Sequence, residues 1–252
     1  FSLAPAWIRY QIHPHPSYCD PCQDQSWREG NQGLYVFVTG LKSHPIWAEG
    51  HRSRIESQHP DMEIRIPLVP KNGDCSLEEA AAPIVEMVRD YIKKHPQKPI
   101  CLMGTSNGGR IAAKVETALR GEGAAIRVST LAGVFFGSQR MNQMVNLHIA
   151  NHLYHPSVIE ELQVGSKVSR ALIEQMRAPL QGEDVRAYEF FTSTNDEFVP
   201  NFGSCLPILG QGETFHVVEG ENHFSITQAV REKQLQNSYK WMASSHASAL
   251  SV

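Results

Sequence analysis

The chain has 252 residues, with 23 Lys and Arg against 26 Asp and Glu, a net charge of -3 and 41% hydrophobic residues. At that length a single α/β domain is the default, and its core needs no disulfide or metal staple. The balanced charge supplies no basic stripe for nucleic acid, and no stretch nears the ~18 apolar residues of a membrane span, so a soluble globular protein is expected.

The first residue is Phe, so the chain reads as processed or trimmed, with any targeting signal outside it. Within the first 33 residues, Trp7 to Ile12 has the pattern of an edge strand, and the Pro- and His-rich stretch after it reads as loop. Cys19-Asp20-Pro21-Cys22, with His13 and His15 nearby, matches the ligand count of a zinc site, but the lone C-x-x-C among prolines favours a local disulfide or free thiols.

From residue 34 onward strand and helix patterns alternate, which predicts a doubly wound, mainly parallel sheet with helices on both faces. Leu34 to Val38 is a buried strand, and 62–69 is a second. Pro70 to Asp74 is turn chemistry. Ser76-Leu77-Glu78-Glu79 is a capping box that opens a helix whose apolar face carries Leu77, Ala81, Ile84, Val88 and Tyr91. The apolar run 99–103 is a strand, followed by a helix of small residues from 109 to 119. Strands are expected at 126–131, 186–191 and 214–219, and a helix at 226–241. Residues 139–182 interrupt this rhythm with two or three helices, and their apolar, Met-bearing stretches suit a cap over a site better than a second domain.

Gly104-Thr105-Ser106-Asn107-Gly108 fits G-x-S-x-G. The pattern alone should arise by chance about 0.1 times in such a chain, so its context carries the weight. A strand delivers Ser106, a helix leaves at once, and glycines flank a turn that must be sharp. Two further residues with the right chemistry lie at the ends of later strands. Asp196 follows 186–191, with Glu197 and Asp184 as rival carboxylates, and His223 follows 214–219. Read blandly, Ser106 is a helix N-cap, Asp196 a turn former and His223 a surface histidine. All three appearing in this order after strands is much harder to obtain by accident.

With Gly104 to Gly109, Asp196-x-x-Val199-Pro200 and Glu221-Asn222-His223-Phe224 as carriers, residues 34–240 resemble the lipase/esterase-like branch of the α/β-hydrolase superfamily. The resemblance implies Ser106 as nucleophile, His223 as general base and later acid, and Asp196 as the residue that orients the imidazole. It also implies an oxyanion hole from the Asn107 and Leu41 amides, with Thr39-Gly40-Leu41 standing where the family carries His-Gly-x.

The expected reaction is hydrolysis of a carboxylic ester with an acyl or lipid-like group, through an acyl-enzyme and without a cofactor. A thioesterase or protein deacylase would use the same residues, as would a peptidase, and an inactive binding module is the alternative from another class. Gly40, Met144 and His148 are the expected substrate contacts. His148, His152 and His155 fall at helical spacing on one face, but the Glu of a catalytic H-E-x-x-H is missing, so they are read as lining the cap entrance and not as metal ligands. The expected partner is a small-molecule or acylated substrate, with neither nucleic acid nor an integral membrane span, and with transient membrane-surface contact through the cap.

Overall fold

The computed structural model describes residues 18–19 and 32–249. Seven parallel strands form one sheet: β1 (Tyr18–Cys19), β2 (Leu34–Val38), β3 (Glu63–Pro67), β4 (Ile100–Thr105), β5 (Ala125–Leu131), β6 (Val185–Ser193) and β7 (Thr214–Val218). Their spatial order is β1-β3-β2-β4-β5-β6-β7. From β1 at one edge the chain passes to β2, returns to β3 between the two, then crosses back over β2 to β4 and runs through β5 and β6 to β7 at the other edge. That reversal beside β2 and β4 opens a crevice at the carboxyl ends of the central strands, the usual ligand position in such sheets.

Strand side chains divide by period two. Leu34, Val36, Ile100 and Leu102 face a core with α2 (Leu77–Lys94), α3 (Asn107–Ala118) and α7 (Lys167–Arg177). Tyr35, Phe37, Cys101 and Met103 face the opposite core, shared with α1 (Glu49–Gln58) and α9 (Arg231–Ala249). Fully burying each Leu or Ile contributes ~1.5–3 kcal/mol, so the two faces together fix the register. Under α9 the sheet is also polar. Glu189 is buried and accepts from Arg127, Ser129 Oγ, Asn237 Nδ2 and His216 at 2.7–3.0 Å. This network ties the last helix to β5 and β6.

The capping box forms, with Ser76 Oγ accepting from the Glu79 amide at 3.2 Å. Helix α1 has no counterpart in the sequence reading. Its buried residues are His51, Arg52 and Ile55, so it carries no apolar stripe to announce it. The helix expected at 226–241 is two, α8 (Ser225–Ala229) and α9. Trp7–Ile12 and the His13, His15 and Cys22 cluster lie outside the described residues.

The segment 139–182 divides between two layers. Helix α7 places Leu172, Ile173 and Met176 in the main core against α3, as an ordinary crossover helix does. Ahead of it, α4 (Gln139–Asn146), α5 (Ala150–Leu153) and α6 (Pro156–Leu162) pack Met141, Ala150, Val158, Ile159 and Leu162 around Val134, Val199 and Cys205. This smaller cluster lies over the carboxyl ends of the strands. No helix among the described residues is long and apolar enough to cross a membrane.

Candidate active site

Ser106 sits between β4 and α3 with φ 54° and ψ -128°. A non-glycine residue held there stores ~1–3 kcal/mol of strain, which the surrounding structure has to maintain. It does so through backbone: the Ser106 amide donates to the Leu131 carbonyl at 2.8 Å, and the Ser106 carbonyl accepts from Gly109 at 3.0 Å. The flanking glycines are required by close approach. A Cβ on Gly104 would lie 2.3 Å from the Gly108 carbonyl oxygen, and one on Gly108 would lie 2.2 Å from that of Val38. The G-x-S-x-G pattern is therefore the residue set that lets strand, turn and helix pass this close to β2.

Asp196, after β6, is buried and its carboxylate is fully used. Oδ1 accepts from the Phe198 and Val199 amides at 2.9 and 2.8 Å, while Oδ2 lies 2.7 Å from His223 Nδ1. A carboxylate in its ionised form only accepts, so such a pair takes its proton from His223 Nδ1–H and leaves the Nε2 lone pair on the far side of the ring. The rival carboxylates have other positions. Glu197 accepts from the His223 backbone amide at 3.2 Å. Asp184 sits at the other end of β6, where it accepts from Gly121 and Gly123 and pairs with Arg186. Phe198 and Phe224 pack about the imidazole, with ring centroids 5.1 and 5.7 Å from it.

Ser106 and His223 line one cavity of about 220 Å³, together with Gly40, Leu41, Asn107 and apolar residues that include Val134, Met141, Met144 and Leu162. Leu41 and Asn107 both line it, and neither backbone amide has an acceptor among the described residues. Gly40 approaches the serine so closely that a Cβ there would lie 3.0 Å from Ser106 Cβ.

The 39–43 loop is clamped from outside. The Lys42 amide donates to the Asn72 carbonyl at 2.7 Å, and the Lys42 side chain reaches Asp74, the Leu153 carbonyl and the Tyr154 ring. The 70–74 turn and the end of α5 thus both hold this loop. Sequence reading missed Lys42, Asp74, Tyr154 and Arg140, because each is remote in the chain from the serine motif and matches no spacing rule.

No family model and no curated protein matches the chain by sequence. Solved structures do match by shape. The lipolytic enzymes LipS and LipT, from a metagenome, provide one match with a TM-score of 0.62 and 14% identity, over 85% of this chain and 96% of that one. Est1E from Butyrivibrio proteoclasticus is similar at a TM-score of 0.58 and 14% identity, over 86% and 90%. A lipase-esterase related protein from Clostridium acetobutylicum gives 0.55 and 12%, over 84% and 97%. The chain has the α/β-hydrolase fold.

Within that fold, Ser106 stands at the strand-to-helix turn after β4, and Asp196 and His223 follow β6 and β7. Thr39, just after β2, is buried. Of the expected substrate contacts, Gly40 and Met144 line the cavity. His148 does not: it is exposed at the turn between α4 and α5, with φ 57°. The shared face expected of His148, His152 and His155 does not exist either, because the helix breaks at His148 and His155 instead caps α6 by accepting from the Ser157 amide. Among the described residues no three His, Cys, Asp or Glu side chains converge on a metal-sized site. The thiols of Cys101 and Cys205 are fully buried, and burial pushes each up to about 12, so neither competes as a nucleophile.

Proposed function

We propose that the protein is a serine hydrolase of carboxylic esters. Ser106 Oγ attacks the ester carbonyl while His223 Nε2 takes its proton. Asp196 holds the imidazole in the tautomer with Nδ1–H and stabilises the cation that forms. The free amides of Leu41 and Asn107 receive the developing oxyanion, each worth roughly 2.7–4 kcal/mol of transition-state stabilisation. His223 returns the proton to the leaving alcohol and then activates a water that releases the acid from Ser106.

The observation that carries this reading is the 2.7 Å bond between Asp196 and His223, with His223 and a strained Ser106 lining the same cavity. Fold likeness would not suffice, since hydrolase-fold proteins run many chemistries. The apolar wall of Val134, Met141, Met144 and Leu162 suits a hydrocarbon acyl group, and residues 139–162 serve as its cap.

A fluorophosphonate probe tests the proposal. It is expected to label the native protein and to leave Ser106→Ala, folded by circular dichroism, unlabelled. Equal labelling of both, or of neither, removes the serine mechanism. Panels of 4-nitrophenyl esters and matched thioesters then rank the acyl chain and the leaving group.

A further inference from the structure

The wall of this cavity is uneven in charge. Lys42 and Arg140 both line it, and among the described residues no Asp or Glu does. The two cations differ. Lys42 pairs with Asp74 at 3.3 Å and donates to the Leu153 carbonyl, so its charge is answered within the protein. Arg140, in the first turn of α4, makes one side-chain hydrogen bond, a long one of 3.5 Å to Gln143 Oε1, and has no carboxylate partner among the described residues. Among the described residues, most of its five guanidinium donors have no acceptor.

Arg140 also stands at a junction. With Met144 it borders a second, shallower groove of about 470 Å³ that continues past Leu147 and Ile149. Both of these apolar side chains are exposed, Leu147 by 67%. The unanswered cation is therefore flanked by hydrocarbon-binding surface on the cavity side and on the outer side. A wholly neutral ester would leave the guanidinium unused, whereas a carboxylate or phosphate matches its fork in a bidentate pair.

We propose that the substrate is an anionic amphiphile: an ester bearing a carboxylate or phosphate that pairs with Arg140 while the carbonyl lies at Ser106, with hydrocarbon against Met144, Leu147 and Ile149. This inference rests on the ester-hydrolase reading and names its substrate class. Because Arg140 is exposed, the preference weakens as salt screens the pair.

Two pairs of esters test it, each matched except for charge. One pair carries the charge on the acyl side, as the 4-nitrophenyl half-ester of adipic acid against 4-nitrophenyl hexanoate. The other carries it on the alcohol side, as the butyrate of 4-hydroxybenzoic acid against phenyl butyrate. Native protein is expected to favour the anion in at least one pair. Arg140→Gln should cut that ratio of kcat/KM about tenfold, one charge-assisted contact, and Arg140→Lys should retain part of it. No preference for the anion in either pair, or one that survives Arg140→Gln, overturns the proposal. A binding arm on Ser106→Ala separates this failure from failure of the hydrolase reading. Octyl phosphate should bind more tightly than octanol, and Arg140→Gln in that background should abolish the difference. Equal binding of the two sinks the anion site whatever the probe labelling gives.

Discussion

Asp74 joins two segments that border the serine. One carboxylate oxygen pairs with Lys42 Nζ at 3.3 Å, and the other accepts from the His155 amide at 2.8 Å. Lys42 directly follows Leu41, and His155 opens α6, so a single side chain connects the 39–43 loop to α6. The pair is partly exposed, and such pairs contribute only ~0.2–1 kcal/mol to stability. Asp74→Asn is therefore expected to lower Tm by no more than about 2–4 °C. The loss in kcat should be larger, about fivefold or more, with KM little changed, because the Leu41 amide loses its fixed position. Thermal unfolding and steady-state kinetics on one 4-nitrophenyl ester check both. A kcat equal to that of native protein would mean that the loop holds itself.

Asp196→Asn separates geometry from charge. The amide oxygen can still accept from Phe198 and Val199, which turns its NH2 group towards His223 Nδ1 and favours the wrong imidazole tautomer. A fall of ~10³–10⁴-fold in kcat is expected, as for a triad whose carboxylate is made neutral. Glu197→Gln, which removes charge from a group that accepts from the His223 backbone amide and not from its ring, should cost less than about fivefold. Comparable losses in the two variants would reassign the acid.

Glycine at 108 is a steric requirement. Gly108→Ala forces a methyl against the Val38 and Thr39 carbonyls, so at least one of β2, the serine turn or α3 must shift. Destabilisation of ~2–3 kcal/mol is expected, which lowers Tm by roughly 4–12 °C. Gly203→Ala, where a Cβ meets nothing within 4 Å and φ is unremarkable, serves as the control and should be nearly neutral. Differential scanning calorimetry on the two variants reads the contrast directly.

Stability should depend on pH through His51, which is buried and does not line the cavity. Burial, reinforced by the nearby Arg231 charge and opposed by a hydrogen bond to Gln234, lowers His51 from its ordinary 6.5 to about 3. The unfolded chain thus takes up a proton that the folded chain refuses between those values. The stability this site contributes is complete above 6.5 and is lost as pH falls through the window, by up to about 1.4 kcal/mol per pH unit. Urea unfolding from pH 4 to 7 should show His51→Gln with a slope one proton shallower than native protein. Parallel slopes would mean that His51 ionises in the folded state.

The sheet and the serine turn were legible in the sequence because both are local in origin. Strand β2 matches its apolar run, Ser76 caps α2 as the box predicts, and Gly104 and Gly108 mark a turn that admits no Cβ. Helix α1 was not legible, because its buried face is His51, Arg52 and Ile55 and its stability comes from α9 and the sheet. The histidine face expected at 148–155 followed a correct spacing along a helix that ends early, for reasons of packing that spacing does not register.

By itself, the sequence determined the strand order along the chain, the sharp turn at Ser106 and the succession of Asp196 and His223, since these depend on side-chain periodicity and on glycine's missing Cβ. Only the tertiary structure decided which carboxylate faces the imidazole, that α7 belongs to the core while α4 to α6 cover the cavity, and that Arg140 has no counter-charge among the described residues. Those outcomes depend on where segments dozens of residues apart come to rest, and that is set by burial summed over the whole molecule, which no short stretch of chain encodes.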